Sequence, residues 1–508
     1  MKVFTEETHI ADLDIETYIK SYKAGLREVF GNEENIKYIS LNRGFPPGLF
    51  NKVMEYKPLS VFIPKKFNGR GGSVPESLSV LEASSYESLP LSLMVGINGA
   101  LFIQPLSKYG EESTQAKIFK RFVNKKAMGG LMITEPEYGS DALHMQTSYL
   151  EKEKSYKIEG TKHWGGLTGL ADYWLLTARE KNEKGDLGRD IGFFIHDMIE
   201  PGLEVEEYYE NLGLYMLPYG KNKINVEVPK AHKLIPKTTG VKMMLDMLHR
   251  SRLQFPGMAM GYLRRLLDEA INHCQGRTVG GRSLIEYDQV KSRVSKLQAA
   301  FTTCSAMCAY SSNKANVTND LAKDDIPANA IKSVITDIMQ DSAQSLLQLL
   351  GAQGYRLDSI AGRSLVDSRS FQIFEGSNDI LYHQIADSVL KSMRRLKSRN
   401  LYDFLNTYEL SAKASGYLKK SLNFEVDASI AQRKMVSLGK AIGRIISMEF
   451  VIDMGEKGFR SDLINNSIET LRRDIEVILS DYQQQKEVDV IVDYKEDSSW
   501  LKYLNLSP

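Results

Sequence analysis

Phe371-Gln372-Ile373-Phe374-Glu375-Gly376-Ser377-Asn378-Asp379-Ile380 is the stretch on which the reading of this chain turns. One carboxylate, Glu375, follows a run containing two aromatics and an isoleucine. A glycine comes next, then three residues with helix-capping side chains. A carboxylate in apolar surroundings loses hydration, which raises its pKa. A general base for a weak carbon acid needs that property. The same residues also fit a helix ending at Gly376 and a second helix capped by Ser377 or Asn378.

Working outward, a second anchor is Leu131-Met132-Ile133-Thr134-Glu135-Pro136-Glu137-Tyr138-Gly139-Ser140-Asp141. An apolar strand runs into Thr134, then into a proline-containing turn, then into Gly-Ser-Asp. Gly139 permits close backbone approach to a ligand, and Thr134 and Ser140 bring hydroxyls. An ordinary strand-to-turn junction has the same composition. Gly160-Thr161-Lys162-His163-Trp164 ends a strand on a tryptophan, which can be a flat surface for an aromatic cofactor or a core residue. Gln348-Leu349-Leu350-Gly351-Ala352-Gln353-Gly354-Tyr355 ends a helix on paired glycines, which also suits a plain C-cap turn.

Composition bounds the rest. The 508 residues suffice for about three domains. With 42% hydrophobic and 25% charged residues, the chain matches an ordinary globular protein. A net charge of +1 gives no bulk attraction to nucleic acid or an acidic membrane. The cysteines, Cys274, Cys304 and Cys308, are sparse and odd in number, which favours a reducing, cytoplasmic compartment over a disulfide framework. Residues 1–14 resemble no secretory or transit peptide, and the final Leu-Ser-Pro is not a peroxisomal address. The longest apolar run, 91–103, is too short for a bilayer. There is no Gly-x-Gly-x-x-Gly fingerprint, Walker A loop, His-Glu-x-x-His or Cys-x-x-Cys pair, so neither a Rossmann nucleotide site nor a metal site is expected.

Periodicity predicts helices over 15–30, 75–89 and 111–123, with a turn at 68–72. The texture then changes. Residues 156–160, 173–178, 191–195 and 224–228 read as strands, the last alternating cleanly until Pro229. Long helices return over 243–275, 288–314, 329–350 and 379–397. Ala431, Met435, Leu438, Ile442 and Ile445 are spaced 4-3-4-3, and so are Ile464, Ile468, Leu471, Ile475 and Ile478. With Gly455 and Gly458 between them, they predict an antiparallel helical hairpin over 428–479. The tail, 483–508, reads as polar and peripheral. Four regions follow: N-terminal helices at 1–129, a small β domain at 130–236, a helical bundle at 237–399 and a helical extension at 400–508.

Taken together, these stretches resemble the acyl-CoA dehydrogenase family. Thr-Glu-Pro-x-x-Gly-Ser-Asp at 134–141 is similar to its flavin signature. Residues 371–377 are similar to its second signature, with serine for the final threonine. The resemblance implies a mainly α fold with a central β-barrel-like domain and FAD held between that domain and the bundle. By position it places Ile133, Thr134, Gly139, Ser140, Trp164 and Gly166 along the flavin and substrate. Arg277, Gln348 and Gly351 would serve the FAD of a neighbouring subunit, with Gly376, Ser377 and Asp379 near FAD and Arg252 near substrate. Glu375 falls on the catalytic base. Some members carry the base just before the arginine, where this chain has Ser251, which cannot act so.

The implied reaction is dehydrogenation of an acyl thioester. Glu375 takes the α-proton, the β-carbon gives hydride to flavin N5, and donors such as the base's own N–H meet the thioester oxygen. An electron-transfer flavoprotein would accept the electrons, and the extended members of the family tend to be dimers. Two departures stand out. Gly166 replaces the hydroxyl residue that the family keeps near N5, and Arg277-Thr278-Val279-Gly280-Gly281 lacks the family's aromatic. Gly166 gives weight to a flavin oxidase or monooxygenase on the same fold. A cofactor-free helical binding protein is the other alternative.

Overall fold

The computed structural model describes residues 10–427, 430–484, 486 and 488–504. Helix Ile15–Phe30 forms as its periodicity predicts, with the Asp14 side chain accepting from the Thr17 N–H at 2.8 Å. The 75–89 helix forms as Val74–Glu87, and a further helix, Leu89–Asn98, starts directly after a break at Ser88. Pro90 explains the break, since proline suits the first turn of a helix, where its missing N–H needs no partner. Leu89–Asn98 continues through a π turn at Gly99–Ile103 into Gln104–Tyr109. This run is longer than 91–103 and could span a bilayer by length, but 89% of its most apolar window is buried in the protein. It is a core element.

The middle of the chain is one seven-stranded sheet of β1 (Gly129–Met132), β2 (Ser148–Glu151), β3 (Ser155–His163), β4 (Tyr173–Lys181), β5 (Leu187–Asp197), β6 (Leu203–Tyr208) and β7 (Gly220–Pro229). β2, β3, β7 and β6 pair antiparallel in that order. β4 pairs antiparallel with β5 and parallel with β1 and β2. In β7, Ile224, Val226 and Val228 are buried while Asn225 and Glu227 face out, as period-two alternation requires.

The 243–275 helix also divides, into Gly240–Arg252 and Phe255–Gly276, with Pro256 in the first turn of the second. Asp288–Lys314, Asp325–Leu350, Ile360–Arg369 and Asn378–Arg395 complete the bundle. Three short helices follow, and then the hairpin of Gln432–Glu456 and Ser461–Gln484, which turns at Gly458 with φ +94°. The first two hairpin residues expected, 428 and 429, lie outside the described residues. Ala431 is exposed, whereas Met435, Leu438, Ile442, Ile445, Ile464, Leu471 and Ile475 are buried. The hairpin packs on Asp288–Lys314, Asp325–Leu350 and Asn378–Arg395, so its stripes are covered within the chain. The tail is peripheral but not uniformly polar, since Val488, Val490, Val492 and Trp500 are exposed.

Candidate active site

Residues 373–377, around Glu375, lie between two helices, and the second begins where expected, with Ser377 at its N-cap position. Helix Ile360–Arg369 runs into a 3-10 turn at Ser370–Gln372, and the next helix begins at Asn378. Between them Glu375 has φ +53° and Gly376 φ +92°. A left-handed glutamate is strained, and such strain persists only where its surroundings hold it. Ser377 occupies the N-cap position without a side-chain cap bond.

Two buried cations hold the turn. Arg252 Nε and Nη2 donate to the Glu375 carbonyl at 3.1 and 2.7 Å, and its Nη1 donates to Asn329 Oδ1 at 2.6 Å. The Lys332 ammonium donates to the Gly376 carbonyl at 2.7 Å and to Asn378 Oδ1 at 2.9 Å. Burial lowers both, Arg252 to about 10 and Lys332 to about 7. Arg252 was expected beside substrate, yet all three of its nitrogens are engaged within the protein, two of them on the Glu375 carbonyl.

The Glu375 carboxylate is asymmetric. Ser251 Oγ donates to Oε1 at 2.8 Å, whereas Oε2 is buried without a hydrogen-bond partner. Burial raises the carboxyl above its ordinary range, opposed by the Ser251 hydroxyl, Arg252 and Lys332. Phe255, Phe371 and Phe374 form the apolar wall, with ring centroids 4.9 to 6.0 Å apart. Among the described residues the Glu375 N–H donates to nothing. A buried, unpaired oxygen with a raised pKa can take a proton, and a free N–H beside it can meet a developing oxyanion.

The β domain adds the second half. His163 N–H donates to the Thr134 carbonyl at 2.8 Å, and Lys162 donates to the Ile133 carbonyl at 3.0 Å, so these two sequence anchors are neighbours. Beneath them lies a fully buried ion pair, Lys162 to Glu135 at 2.8 Å, in which burial lowers the lysine to about 8. Gly139 and Ser140 are exposed, and a side chain at Gly139 would meet nothing within 4 Å. Trp164, at φ +56°, is 54% exposed, its ring 4.6 Å from that of Tyr209. A Cβ on Gly166 would lie 2.8 Å from Ile97 Cδ1 and 3.3 Å from the Tyr219 ring. One on Gly96, next to Ile97, would lie 3.2 Å from Met258 Sδ, one turn along from Phe255. Helix Leu89–Asn98 thus lies between the Trp164–Gly166 stretch, which Ile97 meets, and the helix that carries Met258 and Phe255 of the Glu375 wall. The nearest hydroxyl to Gly166 in sequence, Thr168, is committed to the Gly165 carbonyl at 2.7 Å and accepts from Asn222 at 3.1 Å.

The remaining expected residues lie elsewhere. Arg277 is exposed at the head of a small hairpin, Thr278–Val279 with Arg282–Ser283. Tyr287 supplies an aromatic there, its hydroxyl donating to the Val279 carbonyl at 2.8 Å. Gln348 is in the last turn of Asp325–Leu350, and Gly351 follows it with φ +62°. Asp379 is exposed and pairs with Lys440 of the extension at 3.5 Å. Sequence reasoning missed Lys332, Asn329 and Asp337. A lysine inside the apolar run 328–335 was the available signal for the first.

Three family models match in chain order: acyl-CoA dehydrogenase N-terminal domain over 23–126, middle domain over 130–225 and C-terminal domain over 238–390. Together these matches define an oxidoreductase. The chain belongs to the acyl-CoA dehydrogenase family. It is 24% identical over 341 residues to an acyl-CoA dehydrogenase of Bacillus subtilis, covering 66% of this chain and 88% of the relative. It is 25% identical over 352 residues to the caffeyl-CoA reductase-Etf complex subunit CarC of Acetobacterium woodii, covering 68% and 90%. Its fold is similar to that of an acyl-CoA dehydrogenase from Bacillus anthracis complexed with FAD, with a TM-score of 0.75 at 16% identity, covering 94% of this chain and 88% of that one. That likeness takes in the extension, which the three domain matches leave out.

Proposed function

We propose that the protein dehydrogenates an acyl-CoA, or a similar acyl thioester, to the 2,3-enoyl thioester, with Glu375 as general base. The observation that carries this reading is Glu375 Oε2, buried and unpartnered on a left-handed turn held by Arg252 and Lys332. FAD is the cofactor. The residues present fit it: an exposed tryptophan face, the open side of Gly139 and the hydroxyls of Thr134 and Ser140 lie where a flat aromatic group can be held. Ile133, Thr134, Gly139, Ser140, Trp164 and Gly166 would line it, with Gly376 and Ser377 at its far side, and Arg277, Gln348 and Gly351 would reach the cofactor of a second copy. When bound, FAD supplies the acceptor for the hydride from the β-carbon.

The chain's own work is proton transfer and orientation. Glu375 takes the α-proton on Oε2, and the Ser251 hydroxyl fixes the carboxylate through Oε1. The Glu375 N–H is available to the thioester oxygen as charge gathers there. The phenylalanine wall keeps water from the base. Arg252 and Lys332, pulling on two successive carbonyls, keep that N–H and carboxylate in register.

An electron-transfer flavoprotein is the proposed electron acceptor, supported by the Etf complex in the name of the Acetobacterium relative. A dimer is proposed because Arg277 stands on an exposed hairpin, and a reducing, cytoplasmic setting because Cys274, Cys304 and Cys308 are unpaired. Gly166, with Thr168 committed elsewhere, favours a second reading, in which the reduced enzyme reacts directly with oxygen. Anaerobic titration of the FAD-loaded protein with a panel of acyl-CoAs tests the first reading. Flavin bleaching by one chain-length class supports it, and no bleaching by any member overturns it. Rapid reoxidation by air after bleaching would favour the second.

A further inference from the structure

Asp337, on helix Asp325–Leu350, engages both of its oxygens around the base. Oδ1 accepts from Gln372 Nε2 at 2.7 Å and from Asn378 Nδ2 at 2.7 Å. These amides lie three residues before and three after Glu375, so one oxygen closes the stretch into a loop with the base at its apex. Asn378 is also the residue that accepts from Lys332, which in turn holds the Gly376 carbonyl. Oδ2 accepts from the Tyr382 hydroxyl at 2.6 Å and faces Arg444 Nη2 at 3.6 Å.

Arg444 belongs to Gln432–Glu456, outside the three matched domains. Its side chain is 13% exposed and that of Asp337 16%, so the pair is shielded from solvent screening. Glycines bring the helices together: a Cβ on Gly439 would sit 1.9 Å from the Tyr382 carbonyl oxygen, and one on Gly443 would sit 3.2 Å from Val334. Acids crowd the spot. Asp341 lies one turn along from Asp337, and Asp474 reaches in from Ser461–Gln484. Lys332 and, more distantly, Lys296 are the other cations that face these acids. Without Arg444, Asp337 Oδ2 would keep only the Tyr382 hydroxyl, and the carboxylate would be freer to turn away from Gln372 and Asn378. Gln372 Nε2 would then lose its acceptor, and Asn378 would be left with the Ser333 carbonyl and Thr336.

We propose that Arg444 of the C-terminal extension is a positioning residue for the base, holding the Asp337 carboxylate in place so that it clamps Gln372 and Asn378 and thereby the Glu375 turn. The inference rests on Glu375 being the base, but its first readout does not. In the full-length FAD-loaded protein without substrate, Arg444→Met raises amide hydrogen exchange across 372–379 by at least about tenfold with flavin retained, and Arg444→Lys restores most of the protection. With an acyl-CoA, the saturating rate of flavin reduction falls at least about tenfold in Arg444→Met, while half-saturation moves less than about threefold. Leu479→Ala, a buried change on the second hairpin helix, serves as the stability control. Wild-type exchange and rate in Arg444→Met would overturn the proposal, as would equal effects from Leu479→Ala at equal loss of melting temperature. Glu375→Gln in the same series separates the two claims. If it reduces its flavin at the wild-type rate, the base is elsewhere whatever the exchange shows. If it is inactive and Arg444→Met behaves as wild type, only the clamp is wrong.

Discussion

Ser251 Oγ donates to Glu375 Oε1 at 2.8 Å, and the residue that cannot replace the base therefore tunes it. The hydroxyl stabilises the anion and so opposes the upward pull of burial. Ser251→Ala removes that opposition, and the Glu375 pKa moves further up. The acid limb of the pH profile for flavin reduction then shifts to higher pH, while the plateau rate on the alkaline side stays close to wild type. A limb that stays in place, or moves to lower pH, contradicts this account.

Glu375→Gln preserves size and most packing but cannot accept the proton. General-base catalysis contributes about 100- to 10,000-fold, so turnover falls by at least the lower figure. Stability changes in the opposite sense. The folded carboxyl has a pKa above its ordinary 4.5, so stability falls as pH rises from about 4.5, and the cost of the buried anion is fully present above the raised value. The variant therefore melts above wild type at pH 8, and the gap closes as pH falls through the raised value and below about 4.5, where the glutamate is protonated in both states. Calorimetry across that range checks the sign.

Lys332 titrates the other way. Its folded pKa is about 7 against an ordinary 10.5, so below pH 7 the protein bears the full cost of a buried ammonium. Between pH 7 and 10 the unfolded chain holds a proton that the folded one does not, and stability rises with pH. Lys332→Met removes that contribution. The melting temperature of wild type should climb relative to the variant across this window, and a constant difference would show that the lysine stays charged in the fold.

Gly166 leaves no room for a simple restoration of the missing hydroxyl. A Cβ there comes within 2.8 Å of Ile97 Cδ1, so Gly166→Thr alone should lower the melting temperature and FAD content. Ile97→Ala combined with Gly166→Thr should recover FAD content, and the flavin potential or its reactivity with oxygen should then differ from wild type. Recovery with both properties unchanged would mean that position 166 does not touch the reactive edge of the flavin.

Much of this was legible in the sequence because it depends on local pattern. The 4-3-4-3 stripes of the extension and the alternation of 224–228 report which side chains turn inward, and the structure buries those faces. One helix break inside an expected helix, at Leu253 and Gln254, was legible from Pro256 in the first turn of the next helix. The left-handed turn at Glu375 was not legible. Nothing in Phe-Glu-Gly announces a positive φ on the glutamate, because residues far along the chain hold the turn: Asp337 bonds both of its flanks from another helix, Lys332 pulls from that same helix, and Arg252 lies 123 positions away. Pattern reads faces of single elements, whereas clamps between elements belong to tertiary structure.

The close seating of Gln432–Glu456 on Asn378–Arg395 has a consequence during synthesis. The ribosome completes the helix that follows the base about 60 residues before the helix that covers it. At roughly 5–20 residues per second the interval is several seconds. Throughout it, the groove around Tyr382 that later admits Gly439 and Gly443 is bare. A nascent chain of this protein therefore emerges with its catalytic half built and its roof missing, a state in which a chaperone, or a premature partner, can reach the same groove first.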